Sequence, residues 1–198
     1  MTPTRAEITA RLRDPAALAR AQPTRFDDAD GAAAPPLRAA AVLVPVVWHG
    51  DAPGILLTLR SARLSAHAGQ VAFPGGRLEP GETAEAAALR EAAEEVGLDP
   101  RLPELAGELP EHQTGTGFRV TPVVAFLDPP LSLTPDPAEV AAIFELPLAT
   151  VLDPAAPQRR QSEFRGRMRD YWVWPHEDHL IWGATAAILV NLARVLRA

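Results

Sequence analysis

Three glutamates, Glu91, Glu94 and Glu95, crowd into one short run of the stretch GRLEPGETAEAAALREAAEEVGL, from Gly76 to Leu98. Like charges that close repel one another and weaken the segment that carries them unless a cation sits among them. The chain has no cysteine, and a cluster of oxygen donors alone selects a hard divalent cation. Mg2+ or Mn2+ fits, and Mg2+ in particular is held by one or two carboxylates and completed by substrate phosphates. A charge run is more often a solvated acidic face. Here a glycine-bounded turn precedes the run at fixed spacing, which favours the cation site.

A helix must position these groups. Pro80-Gly81 signals a turn, Thr83 can cap, the alanine-rich run Ala84 to Ala93 propagates a helix and Gly97 stops it. At about 100° per residue, Glu95 lies roughly 40° from Glu91 on one side and Glu94 roughly 60° on the other, so all three share a sector. Leu89, Ala92, Ala93 and Val96 take the opposite arc and are expected to pack inward. Just upstream, Gly69, Gly75 and Gly76 permit close backbone approach, which suits a loop offering carbonyls to a metal or amides to a phosphate.

The rest of the chain supplies the frame. With 198 residues and 47% hydrophobic content, a single domain over 1–198 is expected, with an N-terminal helix and connector at 1–36 and the core with its C-terminal helix at 37–198. Residues 5–21 read as one amphipathic helix and 23–36 as an irregular connector. Leu37 to Trp48, interrupted by Pro45, and Ile55 to Arg60 read as a hairpin. Strands are expected at Leu102 to Leu109 and Val120 to Leu127, with a loop at Thr114 to Gly117 between them. A proline-rich linker at Pro129 to Pro137 and a strand entering a short helix at Glu139 to Leu152 follow. Asp153 to Gln161 reads as a surface loop, then come one or two strands and a helix from Gly183 to Arg197. Strands and helices mix without regular β-α-β alternation, giving an α+β class, an α/β/α sandwich around a mixed sheet.

Composition excludes several functions. Without cysteine there are no disulfides, zinc-thiolate sites or thiol nucleophiles. A net charge of −6 argues against general nucleic-acid affinity. No stretch approaches the ~20 apolar residues of a membrane span, so no membrane partner and a cytoplasmic location are expected. All 19 basic residues are arginine, so any direct cationic phosphate contact comes from a guanidinium, which can grip two oxygens at once.

The fixed polar positions Gly76, Glu82, Arg90, Glu91, Glu94, Glu95 and Gly97 resemble the Nudix box, with Ala92 where a larger aliphatic is usual. The preceding segment is similar to the pattern of coenzyme A pyrophosphatases, through Leu56, Leu57, Thr58, Arg60, Ser61, Gly69, Phe73, Pro74, Gly75 and Gly76. Ser65 stands where that pattern has an arginine, with Arg63 two residues earlier. TGFRVTPVV from Thr116, FELPL from Phe144 and LIWGATAAIL from Leu180 extend the resemblance from about Leu37 to the C-terminus.

The resemblance implies a Nudix fold and cleavage of the diphosphate of coenzyme A, free, oxidised or acylated, to 3′,5′-ADP and 4′-phosphopantetheine. A Nudix hydrolase of another nucleoside diphosphate derivative, such as ADP-ribose, is the alternative that Ser65 motivates. A non-catalytic Nudix-fold ligand sensor is a third reading, disfavoured because no box carboxylate is lost. In the first reading Glu91, Glu94, Glu95 and the Gly76 carbonyl hold the metal, with Glu95 central. Arg90 reaches back to Glu82 to orient them. Catalysis falls to Glu94, Glu95, Arg90 and Glu82, and substrate binding to Arg60, Arg63, Ser61, Gly69, Phe73 and Gly75. The general base stays open among Glu94, Glu139 and Glu145. His67 and His112 could touch phosphate or pantetheine, and Trp172, Trp174 and Trp182 could stack on adenine, although a structural role is the better reading for each of these five.

Overall fold

The computed structural model describes residues 2–22, 36–164, 167–176 and 178–197. In chain order its elements are α1 (Arg5–Arg13), α2 (Pro15–Leu18), β1 (Arg38–Val47), β2 (Gly54–Arg60), β3 (Val71–Ala72), β4 (Gly75–Arg77), α3 (Ala84–Val96), β5 (Glu104–Glu108), β6 (His112–Gln113), β7 (Phe118–Leu127), β8 (Val140–Pro147), α4 (Leu148–Leu152), β9 (Gln158–Phe164), β10 (Arg167–Pro175), β11 (Leu180–Trp182) and α5 (Gly183–Leu196).

The main sheet is mixed. β1 runs parallel to β7 along its whole length, and the other pairings are antiparallel. The expected β1–β2 hairpin forms only next to its turn, at Val46↔Ile55 and Val47↔Gly54. Beyond that the two strands part, and residues 71–77 enter the fork: β3 pairs with β2 at Thr58↔Ala72, and β4 pairs with β1 at Ala41↔Gly76. Pro45 falls in the gap. Leu43 donates to the Pro74 carbonyl at 2.8 Å, so the N–H that Pro45 lacks would point to the same side, between one partner strand and the next, where no ladder bond is lost.

Each face of the sheet carries its own apolar layer. Ala41, Leu43, Leu56, Val123 and Ala125 pack under Ala87, Ala88, Ala92 and Val96 of α3. Val44, Ile55, Leu57, Val124 and Phe126 pack under α1, α4 and α5, with Ile8, Leu12, Leu148, Leu189 and Leu192 fully or almost fully covered. That is the expected α/β/α order. A second sheet, β11–β10–β9, lies against α5 through Trp174 and Ile181.

Three local expectations change. The helix expected over 5–21 breaks at Asp14, whose carboxylate accepts the Ala16 N–H at 2.9 Å and caps α2, with Pro15 in its first turn. The connector expected at 23–36 falls almost entirely outside the described residues. The loop expected at 153–161 ends at Gln158, where β9 begins; its polar sequence carries no alternation, and its pairing with β10 makes it a strand. The proline-rich segment is tied to the end of α3, with Thr134 N–H donating to Val96 O and Asp136 N–H to Glu95 O, both at 2.9 Å.

Candidate functional site

α3 begins and ends on side-chain and backbone geometry legible in its residues. Thr83 accepts the Ala86 N–H at 3.2 Å, and Gly97 closes the helix with φ 68°, a left-handed cap that glycine adopts without cost. The carboxylates do not share one environment, however. Glu94 is exposed, Glu91 is half-buried, and Glu95 lies on the buried side of the helix with Ala88, Ala92 and Val96, only 3% exposed. Leu89 and Ala93, expected to face inward, are half-buried. The helix wheel fixes relative angles only, and the fork decides which side meets the sheet.

Glu95 is held from two directions. Gly75 donates its N–H to one oxygen at 3.2 Å, and Arg60, at the end of β2, places Nη1 3.4 Å from the other. Burial dominates and pushes the carboxyl up to about 7, against the Gly75 N–H and the Arg60 charge, while Glu139 and Glu91 push it the same way as burial. Glu91 is also raised, by burial first, with Glu94 and Glu139 adding repulsion and Arg90 opposing. Four carboxylates thus crowd negative charge into one region that Arg60 and Arg90 offset only in part.

Arg90 organises the outer half of the cluster. Its Nε and Nη2 grip the two oxygens of Glu82 at 2.9 and 3.0 Å. Nη1 reaches Glu91 at 2.9 Å and Glu94 at 3.3 Å, and Nη2 also donates to the Arg77 carbonyl at 3.0 Å. These bonds hold Glu82 below the usual carboxylate range, helped by the Glu79 N–H, and raise Arg90. Gly76 faces the Glu91 carboxylate so closely that a Cβ there would overlap it.

Among the described residues no three carboxylates or imidazoles stand ready around a common point; the two arginines hold them. The donor set nevertheless fits a hard cation. It consists of oxygens alone, is half or more buried at Glu91 and Glu95, and is backed by a glycine that leaves room beside Glu91. Glu91 and Glu95 are the side chains that would hold it, with Glu94 exposed at the rim and Gly76 beside Glu91.

The other expected site residues divide. Arg60 joins the cluster, and Gly69 donates to the Arg60 carbonyl at 3.2 Å, closing the loop from Ser61 to Gln70. Arg63 is exposed on that loop. Ser61 and Phe73 are turned inward at 5% and 3% exposure; they shape the segment and present no surface to a ligand. Glu145 is held by His49 at 2.9 Å and lies opposite Leu56, four residues from Arg60, roughly 13 Å at ~3.3 Å per residue. That removes it as a base. His67 is exposed and meets Gln70 at 2.9 Å. His112 is buried, and burial holds it down to about 4, so its ring is neutral. Trp174 is core, Trp172 half-buried and Trp182 exposed.

One group had no sequence signal. Arg38 and Arg77 both lie over the Phe118 ring, at 4.1 and 5.5 Å, on three adjacent strands. Seeing this requires the register of a parallel pair eighty residues apart. Gly76 and Arg77 alternate faces, so one residue of β4 looks to the carboxylates and the next to this ring.

The NUDIX domain family matches residues 37–173. A relative from Citrobacter koseri, named as an uncharacterized Nudix hydrolase, NudL, is 46% identical over 157 residues, 79% of this chain and 81% of that one. The chain belongs to the Nudix hydrolase family. The NudL protein of Escherichia coli strain K12 is 45% identical over the same shares. A solved Nudix hydrolase from M. smegmatis, RenU, is 27% identical, with 57% of this chain and 72% of that chain covered and a TM-score of 0.46. In Nudix terms, α3 with Gly76 and the turn before it is the box, and β4 is the strand that delivers its first glycine.

If Arg90 orients the box carboxylates, Arg90→Lys keeps the charge but loses the fork on Glu82 and the bond to the Arg77 carbonyl. The expected result is a ~10–100-fold rise in the Mg2+ concentration giving half-maximal activity, read by metal titration of initial rates. A change in maximal rate alone would count against the orienting role.

Proposed function

We propose that this Nudix hydrolase cleaves the diphosphate of coenzyme A, yielding 3′,5′-ADP and 4′-phosphopantetheine. One observation carries the reading. Arg60, from the start of the segment similar to coenzyme A pyrophosphatases, and Gly75, from its end, both bond to Glu95 of the box. Substrate segment and box therefore meet on a single carboxylate. The bland reading of Arg60, a strand-end surface charge, fits poorly with a side chain only 23% exposed.

The chemistry needs a water oxygen to form a bond to phosphorus as the bridging P–O bond breaks, with charge building on the departing phosphate. No covalent enzyme intermediate is required. Mg2+ or Mn2+, held by Glu91, Glu94, Glu95 and the Gly76 carbonyl, would supply the positive charge that polarises the phosphoryl oxygens and lowers the pKa of the attacking water. The chain's own residues do the rest. Arg90 fixes Glu91 and Glu82, and the Gly75 N–H fixes Glu95. Of the candidate bases, Glu139, immediately before β8, is the one whose charge repels both Glu91 and Glu95. It takes the water's proton, and the departing phosphate keeps the electron pair of the broken bond.

Incubation with Mg2+ and either coenzyme A or ADP-ribose, followed by mass spectrometry of the products, tests this. Both named products should form from coenzyme A and formation should stop with EDTA. Turnover of ADP-ribose with coenzyme A untouched would overturn the substrate assignment.

A further inference from the structure

Arg60 is an awkwardly placed cation. Among the described residues its side chain is mostly covered, its Nε is buried without a hydrogen-bond partner, and its one ionic contact is the 3.4 Å approach to Glu95. A guanidinium carries five N–H donors in a rigid fork; here a single long bond is in use. The carboxylate it touches is itself short of positive charge, because Glu91 and Glu139 both repel it.

We propose that Arg60 has two stations. In the metal-free protein it stands in for a cation at Glu95. When a divalent cation takes Glu95, the guanidinium is released and its unused donors turn to the diphosphate of the substrate. Metal-free protein then binds diphosphates weakly because its best phosphate ligand is already engaged, and cation and diphosphate favour each other's binding through Arg60 by the same factor in both directions. This rests on reading the carboxylates as a cation site, and is independent of which nucleotide derivative is cleaved.

The test uses ADP as a diphosphate probe, titrated calorimetrically in EDTA at pH 8 into wild type, Glu95→Gln, Arg60→Gln and the double variant, each checked for a cooperative melt. Freeing Arg60 by Glu95→Gln should tighten ADP binding by about fivefold or more, and the same substitution in the Arg60→Gln background should give no gain. An equal gain in both backgrounds would show that only a repelling carboxylate had been removed, and would overturn the proposal; so would no gain in either.

A second arm leaves Glu95 intact. The factor by which Mn2+ tightens ADP binding, with Mn2+ followed by electron paramagnetic resonance, should fall several-fold in Arg60→Gln, and an unchanged factor also overturns the proposal. Failure of Mn2+ to bind wild type would remove the cation site and the proposal together, whereas the substrate assignment is decided separately by the product analysis.

Discussion

Replacing Glu95 by glutamine is expected to lower turnover by on the order of 10³-fold and, at the same time, to raise the melting temperature of the metal-free protein at pH 8. The first effect follows from removing a carboxylate from the proposed cation site, where several kcal/mol of transition-state stabilisation is at stake at about 1.4 kcal/mol per decade of rate. The second follows from burial. Glu95 is 3% exposed and its carboxyl is pushed up to about 7 from 4.5, so folding favours the protonated form.

A raised folded-state pKa contributes stability that is fully present below the unfolded value and is lost as pH climbs through the folded one. Metal-free wild type should therefore lose up to about 3 kcal/mol between pH 4.5 and just above 7. Glutamine keeps an acceptor for the Gly75 N–H, carries no charge and removes that loss. At about 2–4 °C per kcal/mol for a chain of this size, the gain should be several degrees at pH 8 and vanish near pH 4.5. Added Mg2+ should stabilise wild type increasingly as pH rises through 7, and the variant hardly at all. Thermal scans across pH in EDTA and in Mg2+ check both; a pH-independent difference would mean that ionisation of Glu95 is not the source.

Gly75→Ala should have the largest effect on folding. At φ 158° its Cβ would lie 2.6 Å from Val42 Cα and overlap the Ala41 carbonyl, both backbone of the central strand β1 and unable to yield. Prising β4 off β1 should cost about 3 kcal/mol or more and displace the N–H that Glu95 uses. Gly76→Ala differs in kind, because it meets the tip of the Glu91 side chain, which can swing away; that variant should melt near wild type and lose activity. Gly81→Ala, with open space around the new methyl at φ 83°, should cost only ~1 kcal/mol of backbone strain. Chemical denaturation of the three ranks them, and a Gly75→Ala protein as stable as Gly81→Ala would contradict the close packing of β4 on β1.

Much of this was legible in the residues because the relevant forces are local. Thr83 and Gly97 bound the helix by satisfying its own end groups, and β1, β7 and α5 announce themselves by apolar content. The Asp14-Pro15 break was equally local, but the amphipathic spacing around it masked the signal. What could not be read depended on long-range pairing. The separation of Glu95 from Glu94, the inward turn of Phe73, and the strand character of 158–161 all follow from which segments lie side by side, and no spacing within the chain encodes that. Glu145 looked equivalent to Glu139, each at one end of the apolar run VAAIF; only the pairing of β8 with β2 shows how far apart they lie.

The forked sheet sets how far the loop between β2 and β3 can vary. The loop from Ser61 to Gln70 leaves β2 and returns as β3 with its ends fastened by backbone bonds, Arg60 N–H to Gln70 O at 2.9 Å and Ser61 N–H to Glu139 O at 2.7 Å. Whatever the loop's length, the strand it feeds must re-enter the fork at the same place and present the same two glycines to α3. Lengthening a closed loop costs little, about 0.6 kcal/mol per doubling. Ser65, in mid-loop, is therefore free to vary without disturbing the fork below it, and the loop can be exchanged like a drill bit while the chuck that holds it stays in place.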